Sequence, residues 1–331
     1  MLRVGIIGAG LIGRKRAAAL QGGKLVAVAD LSLDAARTLA LAHQADVEPD
    51  WTALVRRADI DAVIVATTND ALAACTRAAL EAGKHVLVEK PAGRTPAEVR
   101  QLRELADRVG RILAVGFNHR FHPAFQRAKQ IVAGGSLGPL MYIRARYGHG
   151  GRPGYDREWR ADPERAGGGE LLDQGVHLID LCRWLGGEFE LEFGSVATYF
   201  WDMPVEDNGF LLLRSPDGRR RAWLHASCTE WKNLFDFEFF ARNGKIEVWG
   251  LGRSYGTEEL RIYRMKPEMG PPDVEIESFP GEDLSWRDEF TAFCSEIAGE
   301  TSHLGRAADA ERALALVHQA YQAAGFPWAR P

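Results

Sequence analysis

The chain has 331 residues and a formal net charge of −4. That length allows two domains, each with its own core, and the small net charge argues against nucleic acid or an anionic membrane as partner. No apolar run approaches the ~20 residues of a membrane span. Cys75, Cys182, Cys228 and Cys294 are too scattered for a zinc knuckle or a disulfide framework, as expected of reduced thiols in a cytoplasmic protein.

Leu2-Arg3-Val4-Gly5-Ile6-Ile7 reads as a strand, so no removable signal is expected at this end. It runs directly into Gly8-Ala9-Gly10-Leu11-Ile12-Gly13, and Arg14 to Leu20 continues with good helix formers. Strand, G-x-G-x-x-G and helix in that order make a dinucleotide-binding turn. Gly8 permits the tight turn, Gly10 lets the backbone approach a pyrophosphate, and Gly13 lets the helix pack on the strand. The helix start at Leu11 and Ile12 turns its N–H groups toward the phosphates. A second apolar run, Leu25–Ala29, ends in Asp30, about 20 residues beyond the second glycine, where an acid meets the adenosine ribose hydroxyls. Its carboxylate repels a 2′-phosphate and no arginine follows at Leu31 or Ser32, so NAD is expected rather than NADP.

Further along, Ser32 caps a helix over Leu33–His43, Ile60–Ala66 is a buried strand, and Ala71–Ala82 is a helix ended by Gly83. His85–Val88 is a fourth strand. Thr95-Pro96-Ala97-Glu98 then forms a capping box with proline at the first helical position, for a helix that runs to about Val109 and stops at Gly110. Ile112–Val115 is the fifth strand. Short apolar runs alternating with helices predict a doubly wound parallel sheet, an α/β Rossmann domain over residues 1–118.

The rhythm then changes, and residues 119–331 read as an α+β domain for substrate binding and oligomerisation. A helix near Pro123–Ala133 precedes a strand at Leu140–Tyr147, a glycine-rich charged loop at Gly148–Gly169, and a helix over Glu170–Leu185. From Glu190 to Arg264 successive strands, with turns at Pro216-Asp217-Gly218 and Arg242-Asn243-Gly244, predict a largely antiparallel open sheet of five or six strands. Helices near Ser285–Ala298 and Ala307–Ala324 follow.

In an open parallel sheet, ligands bind at the carboxyl ends of the strands. Those ends carry Thr67-Thr68-Asn69, Glu89-Lys90-Pro91, and Asn118 with Arg120, expected to converge along an extended cofactor. An ammonium at Lys90 would stabilise a developing alkoxide. The second constellation is Gly167-Gly168-Gly169 followed by Asp173, His177, Asp180 and Trp184, at i, i+4, i+7 and i+11 on one helical stripe. His177 can exchange a proton near neutrality. A structural Asp–His pair gives the same spacing. So does a metal site, but the further ligands that it needs are missing, and no metal is expected.

These motifs resemble the glucose–fructose oxidoreductase/inositol dehydrogenase/MocA (Gfo/Idh/MocA) family, from Met1 to about Leu185 in motifs and to the C-terminus in layout. The resemblance implies that Lys90 of Glu89-Lys90-Pro91, with Asp173 and His177, forms the catalytic set. Asn118-His119-Arg120-Phe121-His122-Pro123 is similar to the family's N-x-R-F-x-P segment beside the nicotinamide. Glu158-Trp159-Arg160-Ala161-Asp162-Pro163 is similar to its W-R-x-D-P segment near the active site. Where relatives often read T-P-N-x-x-H, this chain reads Thr67-Thr68-Asn69-Asp70-Ala71-Leu72, without the histidine.

The resulting expectation is an NAD-dependent dehydrogenase of a secondary ring hydroxyl on a sugar, nucleotide sugar or aminosugar. Arg120, Tyr155, Trp159 and Arg160 are its substrate contacts; aromatic and arginine side chains together suit a sugar ring with an anionic group. An inositol dehydrogenase, a glycosidase that oxidises its substrate transiently with bound NAD, and a non-catalytic dinucleotide-binding sensor are the rival readings. Phe235, Phe237 and Phe239 alternate on one strand, and Trp223, His225, Ser227 and Thr229 on what reads as its neighbour. An apolar sheet face left uncovered by helices wants a second subunit, and the resemblance implies a homodimer or homotetramer through that sheet.

Overall fold

The computed structural model describes residues 1–326. The chain divides into two compact units. The first comprises Met1–Asn118, Glu164–Ala166 and Trp286–Arg312; the second comprises His119–Pro163, Gly167–Ser285 and the remainder from Ala313.

The first unit is built on β1 (Leu2–Ile7), α1 (Leu11–Ala18), β2 (Gly23–Ala29), α2 (Leu33–His43), β3 (Asp46–Val47), α3 (Trp51–Arg56), β4 (Ala62–Val65), α4 (Asn69–Glu81), β5 (His85–Glu89), α5 (Pro96–Val109) and β6 (Leu113–Gly116). Its strands lie in the order β6-β5-β4-β1-β2-β3, all parallel, with Gly305–Arg306 added antiparallel beside β6. The apolar runs are buried on both faces: Val4, Ile6, Val63, Val65, Val86 and Val88 have no exposed surface. Local signals set the helix ends. Ser32 caps α2, the Thr95–Glu98 box caps α5, and Gly110 closes α5 in the left-handed region at φ 64°. β3 and α3 were not expected; two and six residues are too short to carry a period.

Trp286–Arg312 returns to this unit through long-range contacts. Arg16, fully buried, ion-pairs with both Glu89 and Glu289 and lies 4.5 Å from the Trp286 ring centroid. Gly23 leaves room for Phe290, whose ring would stand 2.8 Å from a Cβ there.

The second unit holds α6 (Pro123–Ala133) and an eight-stranded sheet of β7 (Leu140–Gly148), β8 (Glu190–Ala197), β9 (Asn208–Arg214), β10 (Arg221–Ser227), β11 (Leu234–Ala241), β12 (Gly244–Trp249), β13 (Glu258–Arg264) and β14 (Asp273–Phe279). The order is β14-β13-β12-β11-β7-β10-β9-β8, antiparallel except where β7 meets β10. The stretch from Glu190 to Arg264 holds six strands, within the expected five or six, and β7 and β14 from outside it bring the sheet to eight. β14 is an exposed, acidic edge strand in which Val274 and Ile276 alternate with Asp273, Glu275 and Glu277, and β7 enters the middle of the sheet from far upstream.

That insertion corrects the expected neighbours: β7 separates the Trp223 row on β10 from the phenylalanine row on β11. Phe235, Phe237 and Phe239 are buried, the first two in edge-to-face contact with Phe125 of α6 at 5.7 and 5.4 Å. The opposite face mixes aromatic rings with ion pairs. Tyr142 stacks on Phe240 at 4.3 Å, Arg146 pairs with Asp236, and Lys245 pairs with Glu238.

Candidate active site

In the first unit, β1 ends in a turn that only glycine can make. Gly8 has φ 101°, and a Cβ on it would stand 2.3 Å from the Ala66 carbonyl oxygen; one on Gly13 would stand 1.9 Å from that of Gly8. Above Gly10 there is nothing within 4 Å of an added Cβ, and no side chain caps α1. Leu11 at the first helical position is exposed and Ile12 half-buried. Asp30 faces this turn, accepting from the Ala9 N–H at 2.6 Å and from the Ser32 N–H at 2.7 Å. An open cradle of backbone N–H groups beside a carboxylate is the donor and acceptor set that a pyrophosphate and a ribose require, so the residues fit a dinucleotide.

The neighbouring strand ends follow. Thr67 and Thr68 are half-buried before α4, with the Thr68 hydroxyl donating to Asp70 at 2.6 Å, and the buried Asn69 donates to the Ala166 carbonyl at 2.9 Å. The Glu89 carboxylate is turned onto the Arg16 guanidinium at 2.6 Å. Lys90 precedes Pro91 across a cis peptide bond, and Ala92 follows in the left-handed region at φ 72°. Asn118 is buried in the short turn after β6.

In the second unit the expected single helix begins as one wide π-type turn, Leu171–Gly175, and continues as an α-helix over Val176–Gly186. Such turns displace side chains from plain helical spacing and recur at functional positions. Gly175 belongs there because a Cβ would meet Leu171 at 2.6 Å. The Gly167–Gly169 run has an equally concrete cause: a Cβ on Gly168 would stand 2.3 Å from the Tyr321 hydroxyl, and one on Gly169 2.0 Å from the Glu206 carbonyl oxygen.

Glu206, which sequence reasoning missed, fastens this turn. Fully buried, it accepts from the N–H groups of Gly169 at 2.9 Å and Leu171 at 3.0 Å and from the Tyr321 hydroxyl at 2.6 Å. Burial without a cation pushes its carboxyl up to about 7 despite these three donors. Its only trace in the sequence is an acid pair, Glu206-Asp207, next to an apolar strand.

Asp173 accepts from the Arg160 guanidinium at 3.0 Å, and that carboxylate, more than the cost of burial, holds the arginine charged. His177 is buried and stacked on His119, with ring centroids 3.8 Å apart, beside Tyr147 at 6.2 Å. His149 lies 3.6 Å from Glu170. Burial pulls its imidazole down, but the carboxylates of Glu170 and Asp173 outweigh this and raise it. Tyr255, bonded to Tyr147, is pushed up to about 12 by burial.

Thus Asp173, His177 and Arg160 are brought together in one unit, and Trp159 lies against the Arg160 guanidinium at 4.5 Å. Two expected substrate contacts are placed otherwise. Arg120 is buried in a two-pronged ion pair with Asp180, and Tyr155 is buried among Ala161, Met203, Val205 and Cys228. Arg152, another cation of the same loop, is held by Glu158 at 2.7 Å. Among the described residues no group of three or more His, Cys, Asp or Glu side chains is arranged to hold a metal.

Two family models match the chain: an oxidoreductase family with an NAD-binding Rossmann fold over residues 2–117, and the GFO/IDH/MocA C-terminal domain over residues 125–247. A dTDP-3,4-didehydro-2,6-dideoxy-α-D-glucose 3-reductase of Streptomyces violaceoruber is 31% identical over 274 residues, 78% of this chain and 79% of that protein. The chain belongs to the Gfo/Idh/MocA family. Its first unit is the family's NAD-binding Rossmann domain. Levoglucosan dehydrogenase of Pseudarthrobacter phenanthrenivorans is 31% identical over 63% of this chain, and D-glucoside 3-dehydrogenase of Escherichia coli 36% over 56%. These two matches span only 57% and 54% of the relatives' own lengths. In fold, a levoglucosan dehydrogenase solved with NADH and L-sorbose superimposes with a TM-score of 0.89 over 98% of this chain and 96% of that one, at 23% identity.

Proposed function

We propose that this Gfo/Idh/MocA chain is an NAD-dependent dehydrogenase that oxidises a secondary ring hydroxyl of a carbohydrate. The observation that carries the reading is the His177 imidazole, buried and held flat against His119 one turn beyond an arginine-bound Asp173. A base so placed is oriented before the substrate arrives. Bound NAD supplies a hydride acceptor. The chain's own residues do the rest. His177 removes the hydroxyl proton, the Lys90 ammonium stabilises the oxygen as charge grows on it, and Asp173 with Arg160 orients the ring. The glycine turn with Leu11 and Ile12 holds the pyrophosphate, Asp30 accepts from the ribose hydroxyls and favours NAD over NADP, and Thr67, Thr68, Asn69 and Asn118 line the remaining length.

Carbohydrate relatives support the substrate class: levoglucosan, a glucoside, inositol and a nucleotide sugar are named among their substrates. Because Arg120 and Arg152 are engaged by carboxylates, a neutral sugar fits better than an anionic one. A homo-oligomer through the open face of the second sheet is also proposed, on its exposed Tyr142, Trp223 and Trp249. Free cysteines throughout suit the cytoplasm.

The test is a panel of sugars, inositols and nucleotide sugars incubated with NAD and followed by the absorbance of the reduced nicotinamide. Turnover of neutral sugars that disappears in Lys90→Ala and His177→Ala supports the reading. Release of a leaving alcohol without net NADH would replace it with the glycosidase reading.

A further inference from the structure

Three large aromatic rings of the second unit stand in water: Trp231 is 69% exposed, Tyr199 70% and Phe200 54%. Rings of this size normally leave water on folding, so their display is a cost to be accounted for. They are not loosely held. The N–H groups of Tyr199, Phe200 and Trp201 all donate to the Asp207 carboxylate, at 2.9, 2.7 and 3.1 Å, and Asp207 is completely buried. Phe200 stands edge-to-face against Trp231 at 4.7 Å and against Trp201 at 5.1 Å.

Trp231 sits at φ 60°, a left-handed backbone that a bulky side chain adopts only where its surroundings impose it. Part of the glycine-rich loop supplies those surroundings. A Cβ on Gly150 would come within 2.8 Å of the Trp231 backbone, and one on Gly151 within 2.3 Å of the Trp201 ring. The rings also form one end of a continuous line. Trp201 packs on Tyr155 at 5.5 Å, Tyr155 on His149 at 5.4 Å, and His149 reaches Glu170, at the mouth of the turn that carries Asp173.

We infer that Tyr199, Phe200 and Trp231 form a carbohydrate subsite that stacks a second sugar ring, glycosidically joined to the ring oxidised at His177. The inference rests on the dehydrogenase reading and narrows its substrate to a glycoside or oligosaccharide. The C–H face of a pyranose is apolar and faintly positive, and the aromatic face is apolar and faintly negative, so the two stack. A fixed platform loses little entropy on binding. Of the arginines in this loop, Arg152 and Arg160 are already ion-paired with Glu158 and Asp173, which leaves fewer charges for a nucleoside diphosphate.

The test compares glucose, cellobiose, maltose and UDP against wild type, Trp231→Ala and Phe200→Ala. Binding is read by saturation-transfer NMR and tryptophan fluorescence, and turnover by NADH formation. Wild type should bind a disaccharide more tightly than glucose. Each variant should lose about tenfold in disaccharide affinity, the worth of one ring's contact area, with glucose affinity and melting temperature unchanged. Equal response of glucose and disaccharide, UDP binding that depends on Trp231, or a dimer that dissociates in the variants would each overturn the subsite. The two readings fail separately. Disaccharide binding that needs Trp231 without oxidation of any sugar removes the dehydrogenase, and sugar oxidation with no preference for disaccharides removes the subsite.

Discussion

The imidazole of His119 lies against that of His177 with centroids 3.8 Å apart and planes 26° from parallel. The first comes from the turn before α6 and the second from the helix Val176–Gly186, so two separate elements fix one ring. His177→Ala should lower kcat by about 10²–10⁴-fold, the usual worth of a general base. His119→Ala should lower kcat by roughly ten- to a hundredfold through misplacement alone, with little change in KM. His119→Phe keeps a flat ring in contact and should restore most of the turnover. Near-normal kcat in His177→Ala would remove histidine from the base role.

Asp30 is expected to act twice, through the turn and through the cofactor. Its two oxygens already order Ala9 and Ser32. Asp30→Ala should weaken NAD binding by roughly tenfold or more, since charge-assisted hydrogen bonds are worth about 1.5–3 kcal/mol each. It should also narrow the gap between NAD and NADP, because the charge that repels a 2′-phosphate is gone. Calorimetric titration of both cofactors checks this, and equal binding of the two by wild type would contradict the assignment.

What the sequence made legible was local. Ser32, the Thr95–Glu98 box, Gly110 and the glycine turn each act within a few residues, so spacing alone located them. Asp173 and His177 could be singled out as a candidate pair because they share a short stretch. Partners brought together by the fold were not. Nothing near Arg16 announces Glu289, nothing near Arg120 announces Asp180, and β7 gives no sign that it will part β10 from β11. Arg120 then read as an available cation, whereas the fold pairs it with Asp180, and Glu89, read as a cofactor contact, is paired with Arg16.

Glu206 gives the second unit a pH dependence with a definite sign. Its carboxyl is raised by burial to about 7 in the folded chain against an unfolded value of 4.5. Between those values the native state keeps a proton that the unfolded chain has released, so stability falls as pH rises through that window. Denaturation of wild type at successive pH values should show the decline. Glu206→Gln should flatten it. Glutamine also turns an amide donor toward the N–H of Gly169 or Leu171, so the variant should be less stable at every pH and slower in turnover, through loss of the turn that carries Asp173. An unchanged slope in Glu206→Gln would assign the decline to another group.

Arg16 is the most exacting test of the first unit. Its guanidinium is fully buried; burial opposes its charge, but Glu289 and Glu89 outweigh that and raise its pKa. Arg16→Leu takes the shared guanidinium away from two buried carboxylates, and breaking such a buried pair typically costs about 3–5 kcal/mol. The carboxylates can escape only by taking up protons, so the variant should regain stability as pH is lowered from 7 to about 5, while wild type gains nothing from this cluster. Combining Arg16→Leu with Glu89→Gln and Glu289→Gln removes the stranded charges and should recover much of the loss. Equal destabilisation in the single and triple variants would show that Arg16 matters through packing against Trp286 rather than through charge.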